Sequence, residues 1–212
     1  MIELDVQCTA DGAVVVIHDW LLDRTTTGAG VVAEKTLAEI RSHDAGGWFG
    51  PAFMGTLVPT LAEVLAAVPV AINVELKSLG DDRIAAAALA EVERAGALDR
   101  VVFSSFSYAL LERLRACSTQ AAIGLLWQAE PIAEAFALVQ RVGATAVHLR
   151  KDAATAHAVE QVSQNGLPVR VWTVNQLEDF EALAAIGVAA VFTDYPERFL
   201  LGGIPVASPS RR

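Results

Sequence analysis

The sequence predicts an α/β fold built on parallel strands, and three observations support this. From about residue 70 onward, short apolar runs alternate with stretches of helical periodicity, which is typical of repeated βα units. Glycines stand where several helical stretches give way to the next apolar run, as they do at helix ends. Together with a strand at residues 2–6, these runs give about seven parallel strands, one fewer than a (β/α)8 barrel contains.

The individual elements are predicted from short runs and from their flanking residues. Thr60 and Glu63 have the spacing of a capping box and predict a helix start. Pro131 predicts the first turn of a later helix, and Asn175 with Glu178 predicts another helix start. The helix-ending glycines are Gly96, Gly143, Gly166 and Gly187. The predicted parallel strands are Ile2–Val6, Ala71–Leu76, Val101–Phe106, Ala122–Trp127, Ala146–Leu149, Val169–Val174 and Ala190–Thr193.

The first nineteen residues predict a hairpin that gathers acidic side chains and a histidine. Asp11-Gly12 lies between two apolar runs and predicts a two-residue type I′ turn. Pairing outward from that turn places Asp5 opposite His18, and Glu3 lies on the same face as Asp5. A bulged three-residue loop would instead shift the register by one and turn His18 away.

The acidic pair on the first strand predicts a metal site. Glu3 and Asp5 alternate with apolar residues, and carboxylates that are buried close together need a cation or a proton. Oxygen ligands favour Mg²⁺ or Ca²⁺ over zinc. The alternative is a solvated edge hairpin whose polar residues have no shared task.

A second strand carries polar residues on one face. Asn73, Glu75 and Lys77 alternate with apolar residues, so Glu75 is a candidate third metal carboxylate and Lys77 a candidate phosphate ligand. A structural ion pair between Glu75 and Lys77 is the alternative. Trp172, on a later strand, either reaches the mouth of the barrel or fills its core, and core is the default for such a residue.

Composition limits the class of protein and of partner. The chain has 212 residues, 53% of them hydrophobic, which is enough for one globular domain over residues 1–212. Its net charge of −9 argues against nucleic-acid binding. The same charge is compatible with a small anionic substrate that a bound metal ion holds. Cys8 and Cys117 do not have metal-site spacing, and no stretch predicts a membrane span or a signal peptide. We therefore expect a cytoplasmic protein with reduced thiols.

Several ordered motifs extend over nearly the whole chain. They are Ile2–Gly12, Val16–Asp19, Leu22–Thr26, Trp48–Phe49, Pro59–Leu61, Asn73–Lys77, Ser104–Phe106, Trp172–Asn175 and Thr193–Asp194. In this order they resemble the glycerophosphodiester phosphodiesterases, and most closely the bacterial cytoplasmic type.

The resemblance implies a fold, a reaction and a set of roles. The fold is a TIM barrel, and the reaction is metal-dependent hydrolysis of glycerophosphodiesters to sn-glycerol 3-phosphate and an alcohol. The residues that match the family's site are Glu3, Asp5 and Glu75 for Mg²⁺ or Ca²⁺, His18 for acid–base catalysis, Lys77 for phosphate and Trp172 for the glycerol end.

The chain departs from the family at its start. The family opens with a strand ending in His-Arg-Gly, followed by a first helix, and this chain starts where the second barrel strand should start. We therefore expect an N-terminally truncated barrel with impaired turnover, in which exposed strand edges favour self-association. His43, His148 and His157 do not lie in a matching context, and His148 is the first of them to test.

There are two alternatives to hydrolysis. In the first, the chain is a non-catalytic fragment, or one that needs a partner to supply the missing strand. In the second, it is a lyase related to phospholipase D toxins or to phosphoinositide-specific lipases. The motifs around Asn73 and Trp172 fit the phosphodiesterases better.

The segment from Asp44 to Gly55 predicts a lid over the barrel mouth. Its glycines permit motion and its aromatic residues can cover a substrate. The alternative is an ordinary surface connection with Trp48 in the core.

Overall fold

The computed structural model describes residues 1–80 and 82–200, which form two compact units. The first unit comprises residues 1–125 and 136–145, and the second comprises residues 126–135 and the described residues from 146 onward. One domain over residues 1–212 stays a prediction. The strands are β1 (Ile2–Cys8), β2 (Val14–Val16), β3 (Ile72–Leu76), β4 (Val101–Ser105), β5 (Ala122–Trp127), β6 (Ala146–Arg150), β7 (Val169–Trp172) and β8 (Ala190–Val191).

The helices alternate with the strands from β3 onward, as the sequence predicts. Short 3-10 turns precede or follow several of them. The α-helices are α1 (Leu37–Ile40), α2 (Leu61–Ala67), α3 (Arg83–Arg94), α4 (Tyr108–Cys117), α5 (Ala135–Val142), α6 (Ala156–Gln164), α7 (Leu177–Ala185) and α8 (Glu197–Leu200). Within the described ranges, no helix combines the length and the apolar character that a bilayer crossing needs.

In the first unit the strand order is β2-β1-β3-β4-β5, and only the β1–β2 pair is antiparallel. The β1–β3 register sets Glu3 beside Asn73 and Asp5 beside Glu75. Ile72, Val74 and Leu76 of β3 are fully buried. Since side chains alternate along a strand, these apolar residues leave the polar residues of β3 on the opposite face, next to the acidic residues of β1.

The predicted hairpin register is wrong by one residue. Val6 pairs with Val16, and the backbone N–H of Ile17 donates to the carbonyl of Asp5, so Asp5 is not opposite His18. The Thr9 N–H donates to the Ala13 carbonyl, which leaves a three-residue loop with Gly12 at a φ of 85°.

The cause of this longer loop lies in the side chains that flank it. The Thr9 hydroxyl donates to the Asp11 carboxylate over 2.6 Å, and the Leu37 N–H donates to the same carboxylate over 3.0 Å. No non-glycine residue in the described part of the chain has positive φ, so Asp11 does not adopt the conformation that a type I′ turn requires. The bulged-loop alternative is therefore the one observed.

In the second unit β6, β7 and β8 form a parallel sheet. The register sets His148 beside Arg170. The prediction that Asn175 caps α7 is wrong, because α7 begins after Gln176 without a side-chain cap. The Asn175 amide instead binds Thr193 and Asp194.

Five of the other six predicted helix-end residues or pairs are confirmed. Thr60 and Glu63 form the capping box that opens α2. The prediction that Pro131 lies in the first helical turn is wrong by one residue, because Pro131 is the N-cap residue before the 3-10 turn Ile132–Glu134, which leads into α5. The four predicted helix-ending glycines all have positive φ, which places them in the left-handed region.

Candidate active site

Three carboxylates meet on one face of the β1–β3 pair. Oxygen atoms of Glu3, Asp5 and Glu75 all lie within 4.8 Å of one another. The parallel register produces this grouping, because it sets Asp5 beside Glu75 while Glu3 lies two residues earlier on the same face. The structure thus brings together the three residues that the sequence predicts as metal ligands. We call Glu3, Asp5 and Glu75 the carboxylate cluster.

Burial and mutual repulsion act on the carboxylate cluster. Burial raises the pKa of Glu75 to about 7, and the nearby charge of Asp5 adds to the rise. Lys77 opposes the rise, and its Nζ lies 3.2 Å from an Asp5 carboxylate oxygen. The three carboxylates present hard oxygen donors, which fit a divalent cation such as Mg²⁺ or Ca²⁺.

His18 lies close to the carboxylate cluster although its predicted strand register is wrong. When its ring is protonated, its charge lowers the pKa of Glu75, and its backbone carbonyl accepts a hydrogen bond from Lys77 Nζ over 3.4 Å. The side chain is 64% exposed, and its Nδ1 lies 2.6 Å from an Asp19 carboxylate oxygen. A titratable imidazole that is open to solvent beside a metal-type site is suited to proton transfer.

Gln7 is a further residue of the site, and the sequence motifs do not predict it. Its buried side-chain amide donates to the carbonyls of Ile17, His18 and Asp19 over 2.9, 3.3 and 2.8 Å. These bonds fix the backbone that carries the histidine. The available signal was its position on β1, two residues after Asp5 on the same strand face.

Trp172 lies in the second unit, next to a buried histidine. Its indole Nε1–H donates to the His148 carbonyl over 3.2 Å. The Arg170 guanidinium donates to His148 Nε2 over 3.1 Å, and burial together with Arg170 lowers the pKa of His148 to about 3. His148 is therefore a neutral residue with its proton on Nδ1. A contact between Trp172 and the glycerol end of a substrate stays a prediction.

The Asp44–Gly55 segment forms a loop that internal hydrogen bonds restrain, and it carries exposed aromatic residues. The Asp44 carboxylate accepts hydrogen bonds from the backbone N–H groups of Gly46, Gly47 and Gly55. Trp48 is 56% exposed, so the alternative that places it in the core is wrong. A lid function for this segment stays a prediction.

Comparisons with known proteins identify the relatives of this chain. The model of the glycerophosphoryl diester phosphodiesterase family matches residues 1–198. A glycerophosphodiester phosphodiesterase of Caldanaerobacter subterraneus subsp. tengcongensis is 36% identical over 204 residues, which cover 94% of this chain and 84% of that protein.

Solved structures show the same likeness. An Oleispira antarctica phosphodiesterase in complex with the product sn-glycerol-3-phosphate has a TM-score of 0.89 at 29% identity, over 94% of this chain and 83% of that one. A glycerophosphodiester phosphodiesterase from Thermotoga maritima has a TM-score of 0.76 at 26% identity, over 94% and 83% of the two chains. The predicted fold class, an α/β TIM barrel of the phosphodiesterase type, is confirmed by these likenesses.

Proposed function

The chain belongs to the glycerophosphoryl diester phosphodiesterase family, and we propose that it hydrolyses glycerophosphodiesters to sn-glycerol 3-phosphate and an alcohol in a metal-dependent reaction. The observation that carries the proposal is the carboxylate cluster with Lys77 and His18 beside it. The product bound to the Oleispira relative supports the substrate class.

The cluster supplies the ligands for the proposed cation. Glu3, Asp5 and Glu75 would hold Mg²⁺ or Ca²⁺, and the ion, once bound, polarises phosphoryl oxygens. Cation binding also requires Glu75 to lose its proton, which its raised pKa makes dependent on pH.

The remaining residues act on the phosphate and on protons. Lys77 already lies 3.2 Å from Asp5, so its ammonium group is held at the edge of the cluster, where a substrate phosphate would meet it. His18 would move a proton to or from the attacking or leaving oxygen. Trp172 is proposed to line the glycerol end of the substrate.

An assay of product release tests the proposal. The protein is incubated with glycerophosphocholine, after removal of metal by EDTA and after addition of Mg²⁺ or Ca²⁺, and sn-glycerol 3-phosphate is measured. We expect release with an added ion and none with EDTA. Phosphatidylinositol and sphingomyelin are assayed in parallel. Turnover of either lipid with a cyclic phosphate product would contradict hydrolysis, and no turnover of any substrate would favour a non-catalytic chain.

Finer properties also stay predictions. Impaired turnover is tested by kcat in the product-release assay, which is expected to be low. A cytoplasmic location is tested by cell fractionation. Self-association through strand edges is tested by sedimentation at several protein concentrations.

A further inference from the structure

A guanidinium group holds the carboxylate that contacts the exposed histidine. Arg24 Nε donates to Asp19 Oδ2 over 2.5 Å, and Arg24 Nη2 donates to Asp19 Oδ1 over 2.8 Å. Two parallel bonds of this kind fix the plane of a carboxylate as well as its position. Arg24 and His18 together hold the pKa of Asp19 well below its usual range. Asp19 is thus an ionised acceptor with a defined orientation.

Hydrogen bonds also restrain the backbone of the turn that carries Arg24. The Thr26 N–H and hydroxyl both donate to the Leu22 carbonyl, over 3.0 and 2.8 Å. The Leu22 N–H donates to the Gly30 carbonyl over 3.0 Å, and the Gly30 N–H donates to the Asp23 carboxylate over 2.9 Å. These bonds close the turn on which Arg24 lies, so the guanidinium starts from a restrained backbone.

The same carboxylate selects the tautomer of the histidine. Asp19 Oδ1 lies 2.6 Å from His18 Nδ1, and an ionised carboxylate only accepts, so the Nδ1 atom carries a proton. In the neutral ring, Nε2 is then the atom that takes a proton. The side chain of His18 is 64% exposed, so packing restrains the ring little and the Asp19 bond provides its orientation.

We propose that Arg24 is a positioning residue that acts through Asp19 to hold the His18 ring with Nδ1 protonated and Nε2 free for proton transfer. This inference rests on the proposed function, in which His18 is the acid–base group. Its physical basis is that a small loss of alignment between a reacting group and its substrate is costly in rate.

Kinetic variants test the proposal against a matched control. Arg24→Gln keeps a polar side chain but removes the pair of hydrogen bonds to Asp19. Arg24→Lys keeps the positive charge without that paired geometry. The control is Arg150→Gln, because Arg150 grips Asp152 over 2.6 and 2.7 Å in the same manner. Both arginines are largely exposed, so neither change should prevent folding.

The expected result is a change in kcat with little change in KM. Arg24→Gln lowers kcat about tenfold, Arg24→Lys lowers it about threefold, and Asp19→Asn lowers it about 100-fold. KM stays within about twofold because positioning acts on the reacting geometry rather than on substrate affinity. Arg150→Gln keeps both constants. Wild-type kcat in Arg24→Gln would overturn the proposal.

A spectroscopic measurement separates this inference from the proposed function. The ¹⁵N shifts of the neutral His18 ring, assigned with His18→Gln, report which nitrogen carries the proton. We expect the Nδ1–H tautomer in the wild type, a mixture of tautomers in Arg24→Gln and the reverse tautomer in Asp19→Asn. If the wild type releases no product, the proposed function fails for this chain. The ¹⁵N shifts of the His18 ring still test the positioning role of Arg24 in that case. Identical shifts in wild type and Arg24→Gln would overturn the positioning role.

Discussion

The β1–β3 pair and the β6–β7 pair both set titratable side chains at neighbouring register positions, but they hold charge differently. On β1–β3, Asp5 lies beside Glu75, and burial with like-charge repulsion raises the pKa of Glu75 to about 7. On β6–β7, His148 lies beside Arg170, and burial with the like charge of Arg170 lowers the pKa of His148 to about 3. Burial thus favours the neutral form in both pairs.

The difference between the two pairs lies in what accompanies the perturbed group. Glu75 belongs to a group of three carboxylates with Lys77 beside it, and Glu3 of that group is exposed. His148 is sealed from solvent, and a histidine with a pKa of about 3 stays neutral through the physiological range. A perturbed pKa therefore marks a candidate reacting group where a ligand can reach that group.

The largest expected effect comes from the same substitution at two histidines. His18→Gln should lower kcat by about 100- to 10,000-fold, since it removes the proposed acid–base group. His148→Gln should change kcat less than about threefold, because a Gln carbonyl still accepts from Arg170. Steady-state release of sn-glycerol 3-phosphate measures both. A large loss in His148→Gln with an unchanged Tm would break the comparison, and His148 would then be the proton-transfer residue.

The next effect concerns the carboxylate cluster. Glu75→Gln should lower turnover about 100-fold or more and weaken Mg²⁺ or Ca²⁺ binding, because the cation loses one of its three anionic ligands. Glu91→Gln is the matched control, since burial also raises the pKa of Glu91, which lies on α3 outside the cluster. Isothermal titration of the metal-free proteins with each ion measures the affinity. Equal affinities in wild type and Glu75→Gln would exclude Glu75 as a ligand.

The smallest effect is on stability in the absence of metal. The two strand pairs predict pH dependences of opposite sign for the unfolding free energy. The folded protein keeps the Glu75 proton up to about pH 7 while the unfolded chain loses it near 4.5, so the unfolding free energy falls as pH rises between these values. The fall amounts to about 3 kcal/mol at most. The unfolded chain protonates His148 below about pH 6.5 while the folded protein does so only near 3, so this group makes the free energy rise with pH over that window.

Urea unfolding in EDTA across this pH range sharpens the comparison. Glu75→Gln should remove the falling contribution, and His148→Gln should remove the rising one. Bound Mg²⁺ or Ca²⁺ should abolish the Glu75 contribution in the wild type, because the ion favours the ionised carboxylate. A pH dependence that is the same in Glu75→Gln and wild type would contradict the raised pKa.

Much of the architecture follows from local sequence patterns. The strand Ala122–Trp127 was predicted with the bounds that the structure gives it, and the Thr60–Glu63 capping box opens α2 as expected. Both depend on interactions within a few residues, so the sequence contains the necessary information. Glu3 and Asp5 share a face for the same local reason, namely the two-residue period of a strand.

Other features depend on residues that are distant in the chain. The hairpin register was decided by Asp11, whose carboxylate is held by the Leu37 N–H as well as by Thr9. Asn175 serves Thr193 and Asp194 instead of capping α7. In both cases a hydrogen bond to a residue distant in the chain contributes to the observed structure.

Local patterns are sufficient to predict that Glu3 and Asp5 share one strand face, that Glu75 lies on a neighbouring strand and that the three carboxylates suit a hard cation, because periodicity and residue type are local properties. The pairing of Asp5 with Glu75, the hydrogen bond from Gln7 to the backbone of His18 and the buried, neutral state of His148 depend on the tertiary structure. Burial, register and hydrogen-bond choice each depend on groups brought together from separate parts of the chain, and a pKa depends on all three.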